Sequence, residues 1–134
     1  MSKRKTPTRF TPLLHGPLPI TQLEKFGLML AEGSVAFTIP AQKHALRSHP
    51  DSFMSCLPYL AQTVTTPHYV GQSPRHVEAG FELVREVRAT GAIVLVAALI
   101  KPTRQGTYLV KSTSPIDRFK LENRLRKGHL LSVQ

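Results

Sequence analysis

The run Ile93-Val94-Leu95-Val96-Ala97-Ala98-Leu99 limits what this chain can become more than any other feature. Successive side chains of a strand point to opposite faces, and here both parities are apolar, so the segment reads as a central strand covered on both faces. It falls far short of the ~20 apolar residues that span a bilayer, and no longer apolar run exists, so no membrane span is expected. A length of 134 residues suits one domain with one core.

The flanking segments supply what such a strand needs. His68 to Gln72, Phe81 to Val87, Ile93 to Ile100 and Thr107 to Thr113 read as strands, and the short gaps at Thr90-Gly91 and at 101–106 suit antiparallel hairpins. Ahead of them, Leu23, Phe26 and Leu30 outline an amphipathic helix stopped near Gly33. Ser34 to Ile39 reads as a further strand leading into a helix over Ala41–Ser48, with Pro40 at its start. Asp51 caps a second helix, Ser52 to about Thr63, which Pro58 must kink or split. Pro115 to Lys127 reads as a closing helix ended by Gly128. The expected fold is α+β: N-terminal helices packed on an antiparallel sheet of about four strands, with a closing C-terminal helix. Residues 1–19, with Lys3, Arg4, Lys5, Arg9 and four prolines, read as a basic arm, and 20–134 as the single folded domain.

The chain carries 18 Lys+Arg against 8 Asp+Glu, a formal charge of +10, which favours a polyanionic partner through long-range attraction and counterion release. Nucleic acid, RNA before DNA, is the expected ligand. One cysteine, Cys56, rules out an intrachain disulfide and a cysteine-rich zinc site, and its apolar surroundings assign it to the core. No apolar segment follows Lys3-Arg4-Lys5, so no secretory signal is expected and the cytoplasm is the expected location. Phosphate-loop, dinucleotide-binding and His-Glu-x-x-His signatures are missing, and the sparse acidic residues form no cluster for magnesium. Any nuclease activity is therefore expected to run without metal or other cofactor.

RNA allows that, because its 2′-hydroxyl is a built-in nucleophile. A catalyst must remove its proton, protonate the leaving 5′ oxygen and stabilise the phosphorane charge. His44 and His49 are the first candidates for proton transfer; on one continuous helix they diverge by roughly 140°, but the break before Pro50 gives His49 another direction. Lys43 and Arg47, four apart, form either a phosphate clamp or a solvated ridge. In Tyr108 to Ser114, strand alternation directs Lys111 and Thr113 to one face and Ser112 to the other. Arg118, Lys120, Arg124, Arg126 and Lys127 make the closing helix basic, the last two also suiting its C-terminal dipole. Lys43, Arg47, Arg85, Lys101, Arg118, Lys120 and Arg124 form the candidate RNA-binding set. Glu82 and Glu86 share a strand face, where pairing with arginine outweighs a general-base role; His15, His76 and His129 receive no role.

The run Val35 to Pro50, the segment Pro67-His68-Tyr69-Val70-Gly71, the strands Gly80 to Arg85 and Ile93 to Leu99, and Tyr108-Leu109-Val110-Lys111-Ser112-Thr113 together resemble the phage-associated branch of the barnase, EndoU, colicin and RelE-like ribonucleases, over roughly residues 34–130. The resemblance implies metal-independent RNA cleavage to a 2′,3′-cyclic phosphate by a toxin, with tRNA as a substrate class and an acidic antitoxin or immunity protein as partner. It carries catalytic roles onto His44, His49, Lys111, Ser112 and Thr113. The basic arm and Pro58 depart from the family's pattern. Charge and composition fit equally a non-catalytic nucleic-acid-binding or phage-assembly module.

Overall fold

The computed structural model describes residues 11–75 and 77–133. The arm cations Lys3, Arg4, Lys5 and Arg9, and His76, lie outside the described residues. In chain order the elements are β1 (Leu13–His15), α1 (Ile20–Phe26), β2 (Ser34–Phe37), α2 (Ile39–Ser48), α3 (Pro50–Cys56), a 3₁₀ turn (Leu57–Tyr59), α4 (Leu60–Thr65), β3 (Tyr69–Gly71), β4 (Gly80–Val87), β5 (Ala92–Leu99), β6 (Thr107–Ile116), α5 (Arg118–Arg126) and β7 (Leu130–Ser132).

The sheet corrects the expected fold. Among the described residues it has seven strands in the order β1-β2-β6-β5-β4-β3-β7, and it is mixed, because β2 runs parallel to β6. The α+β character stands, but a sheet of about four antiparallel strands does not. β1 and β7 have three residues each, too few for alternation to register in a sequence. The parallel pair follows from the long excursion through α2, α3, α4 and the β3–β5 meander between β2 and β6, since parallel neighbours need a crossover. β1 also lies inside the segment read as an arm, and Leu18 beyond it is buried, so the folded part reaches at least to Leu13.

Strand β5 occupies the middle of this sheet and is covered on both faces. Val94, Val96 and Ala98 join Phe37, Phe53, Cys56, Leu60 and Val64 in the larger core, beneath α2, α3 and α4. Ile93 and Leu95 join Tyr69, Val84, Leu130 and Leu121 on the opposite face, where α5 lies. Leu121 is fully buried, and its side chain contributes about 1.5–3 kcal/mol to holding α5 on the sheet. Cys56 is fully buried, and burial pushes its thiol pKa up.

Local chemistry explains where element ends depart from expectation. α1 stops at Gly27, whose φ of 104° is left-handed, rather than near Gly33. Pro58 splits the second helix, leaving the 3₁₀ turn between α3 and α4. α5 begins at Arg118, because Asp117 caps it by accepting from the Lys120 amide at 2.7 Å, and Pro115 belongs to β6. β2 pairs with β6 only as far as Leu109, so around Pro115 the outer side of β6 has no strand, the position where a sheet tolerates proline. Among the described residues no helix is long and apolar enough to cross a membrane.

Candidate nucleic-acid interface

Five strands are joined in register by one row of residues: Ser112 on β6, Ala97 on β5, Glu82 on β4, Gly71 on β3 and Leu130 on β7. Elsewhere on this face Val84, Ile93 and Leu95 fill the space under α5. In the row, Ala97 beside Glu82 leaves room above the sheet, while Gly71 on the other side of Glu82 is packed against the His129 backbone. The result is a groove of about 660 Å³ between α5 and the sheet.

Its walls are cationic. Lys120, Arg124 and Lys127 stand at i, i+4 and i+7, a single stripe of α5, and line the groove with Asn123. Arg75 and Lys111 face them from the β3–β4 connection and from β6, so five cationic side chains surround one carboxylate, Glu82. Glu82 is 6% exposed and ion-paired with Arg124. Ser112 and Ser114 add hydroxyls and His129 an imidazole.

Two backbone devices put these groups there. Between Ala97 and Ala98 the β5–β6 register slips: Ala97 faces Ser112 and Ala98 faces Val110, which leaves Lys111 as the extra residue of a bulge. Bulges re-aim side chains, and this one brings Lys111 into the groove beside Ser112 instead of opposite to it. At the far end of α5, the Gly128 amide donates to the Leu125 carbonyl at 3.1 Å and the His129 amide to that of Arg124 at 2.9 Å. With Gly128 at φ 79° this is a Schellman ending, and the Gln72 amide donates to the His129 carbonyl at 3.0 Å. His129 is thereby held by both the helix end and the residue that follows β3.

The residues expected from sequence divide into those the groove collects and those it does not. Lys111, Ser112, Lys120 and Arg124 line it. Thr113 does not: the bulge reverses the expected alternation, and Thr113, 7% exposed, donates to the Leu95 carbonyl at 3.0 Å and lies against Cys56 on the helix-covered face. His44, with Lys43 and Arg47, is exposed on α2, and His49 is exposed at the α2–α3 junction. Those helices cover the face opposite α5, so the two histidines are not brought together with Lys111 and Ser112. Arg85 donates to the Thr66 carbonyl and hydroxyl at the end of α4, and Lys101 is exposed in the β5–β6 connection.

Arg118 is held just outside the groove by Glu86, which also accepts from the Tyr69 hydroxyl at 2.5 Å. The Tyr69 bond and then the Arg118 guanidinium hold the Glu86 carboxyl below its usual range. Burial, and then the Glu86 bond, push Tyr69 up to about 12. The Glu86 amide donates to His68 Nδ1 at 3.1 Å, and His68 titrates below its ordinary value, chiefly through burial. This cluster ties the start of α5 to β3 and β4.

Sequence reasoning missed Ser73, Arg75, Ser114, Asn123 and His129, and counted Lys127 in the basic closing helix without placing it in the RNA-binding set. Two signals pointed to part of this set: the 120/124/127 spacing, and a glycine after the helix with a histidine next to it. No family model, curated protein or solved structure matches the chain.

Proposed function

We propose that this chain binds RNA in the groove between α5 and the sheet and cleaves it there without a metal ion, as a small toxin-like endoribonuclease acting in the cytoplasm. The observation that carries the reading is the content of one hollow: Glu82, His129, Lys111 and three serine hydroxyls, those of Ser73, Ser112 and Ser114, under a cationic excess. The resemblance to the barnase, EndoU, colicin and RelE-like ribonucleases supports it through Lys111 and Ser112, while the proton-transfer role it carried to one of His44 and His49 passes to groove residues.

The chemistry follows from where these groups stand. Adjacent strands are about 4.8 Å apart, so the floor from Ser112 through Ala97 to Glu82 is roughly 10 Å wide, and His129 lines the groove beyond Glu82. Glu82, oriented by Arg124, takes the proton from the 2′-hydroxyl; O2′ bonds to phosphorus; the P–O5′ bond breaks; and His129, as imidazolium, gives its proton to O5′. The products are a 2′,3′-cyclic phosphate and a 5′-hydroxyl, after which Glu82 releases its proton to water and His129 regains one. Lys111 and Lys120 offset the charge that develops on the phosphorane oxygens, and Ser112 and Ser114 orient them. An acidic antitoxin or immunity protein would neutralise the chain by covering the same cations.

A binding-only reading has one observation in its favour: Glu82 is nearly buried and paired, as a structural carboxylate would be. Incubating the purified protein with RNA in EDTA separates the two. The enzyme reading expects cleavage with 2′,3′-cyclic phosphate ends; RNA that is bound yet intact, in chelator and in magnesium alike, leaves only the binding module.

A further inference from the structure

Phe119 is 75% exposed, on the second residue of a helix whose other apolar side chains, Leu121 and Leu125, are turned to the sheet. At 100° per residue, Phe119 lies roughly 40° around α5 from Asn123 and one turn before it, and Asn123 lines the groove. Arg126 Nη2 donates to Asn123 Oδ1 at 2.6 Å, so an aromatic ring, an amide and a guanidinium follow one another along the outer edge of α5, with Asn123 joining that edge to the groove. Glu86 draws Arg118 to the other side of the helix start, and the ring is left open to solvent.

A lone exposed aromatic is ordinary on a protein surface. An aromatic one helical turn from the lining of a cationic groove is a different arrangement, because it sets side by side the two elements that hold single-stranded nucleic acid: a positive track for the backbone and a flat apolar face for an unstacked base. In a duplex the bases are already stacked inside the helix and cannot reach such a ring without being turned out. We infer that Phe119 is a base-stacking platform and that the substrate of the groove is single-stranded RNA, one base lying on Phe119 while its backbone runs past Lys120, Arg124 and Lys127. The inference rests on the RNA reading above and adds the strandedness of the substrate.

The chain has no tryptophan, so Phe119→Trp installs a single indole reporter at the platform. The probes are a short oligouridylate and the same strand annealed to its complement. Phe119→Ala is expected to weaken the single strand about tenfold and to leave the duplex within about twofold. Phe119→Trp keeps the single-strand affinity, and its fluorescence is quenched as oligouridylate saturates. Equal effects of Phe119→Ala on both forms, no effect on either, or an unquenched indole at saturation would overturn the inference. Lys120→Ala separates the two claims. If it weakens binding while Phe119→Ala does not, the groove reading stands and stacking alone falls. If the wild-type protein holds neither strand form, both fall together.

Discussion

His129→Ala lowers RNA cleavage by about 10²–10⁴-fold, the usual contribution of a positioned acid or base, while RNA affinity at fixed salt changes only a few fold. The asymmetry is the content of the prediction. Five lysine and arginine side chains remain in the groove to hold the phosphate backbone, so binding survives; no other described histidine lines the groove, so the leaving 5′ oxygen loses its proton source. The fold is expected to persist, because His129 is anchored through its backbone amide and carbonyl, which alanine retains. His44→Ala with His49→Ala is the matched control, with unchanged cleavage. Single-turnover cleavage and fluorescence anisotropy on the three proteins read both quantities; equal cleavage by His129→Ala and wild type would remove His129 from the chemistry.

Gly71→Ala has the second large effect, and its sign runs against the usual rule. Replacing a strand glycine by alanine ordinarily stabilises by about 0.4–1 kcal/mol, because the unfolded chain loses freedom. Here a Cβ would stand 2.0 Å from the His129 carbonyl oxygen and 2.9 Å from the Leu130 Cα, both backbone atoms that no side-chain rotation can move away. Overpacking of this kind costs roughly 1–3 kcal/mol, which exceeds the entropic gain. β7 must shift from β3, and His129 moves with it. A misplacement of about 1 Å at a reacting group can cost about 10²-fold in rate, so cleavage is expected to fall by that order together with the melting temperature. A Gly71→Ala protein with full activity and an undiminished melting temperature would show that β7 does not set the position of His129.

Ile93–Leu99 was legible as a strand covered on both faces because an unbroken apolar run admits few other placements. The basic character of α5 was legible because charge is written directly in residue types. What stayed hidden depended on pairing partners. The three-residue strands β1 and β7 exist only through their neighbours β2 and β3. The parallel contact of β2 with β6 joins residues some 73 positions apart, Ser34 with Thr107. Pro115 reads locally as a helix start, and only the missing outer neighbour of β6 makes it acceptable in a strand. For the candidate site the decisive event was a single bulge residue: strict alternation put Lys111 with Thr113, whereas the slip at Ala97/Ala98 puts Lys111 with Ser112 and turns Thr113 into the core. The two histidines were chosen for their basic sequence neighbourhood, which says nothing about which face of the sheet their helix covers.

The location of bound RNA tests the account most directly. Photo-crosslinking a uridine-containing RNA to the wild-type protein, followed by mass mapping of the modified peptides, is expected to mark β6 and α5 over 111–127, with Phe119 among the modified residues. Crosslinks confined to the α2–α3 segment over 39–56, with none on β6 or α5, would contradict it and return the RNA to the opposite face of the sheet.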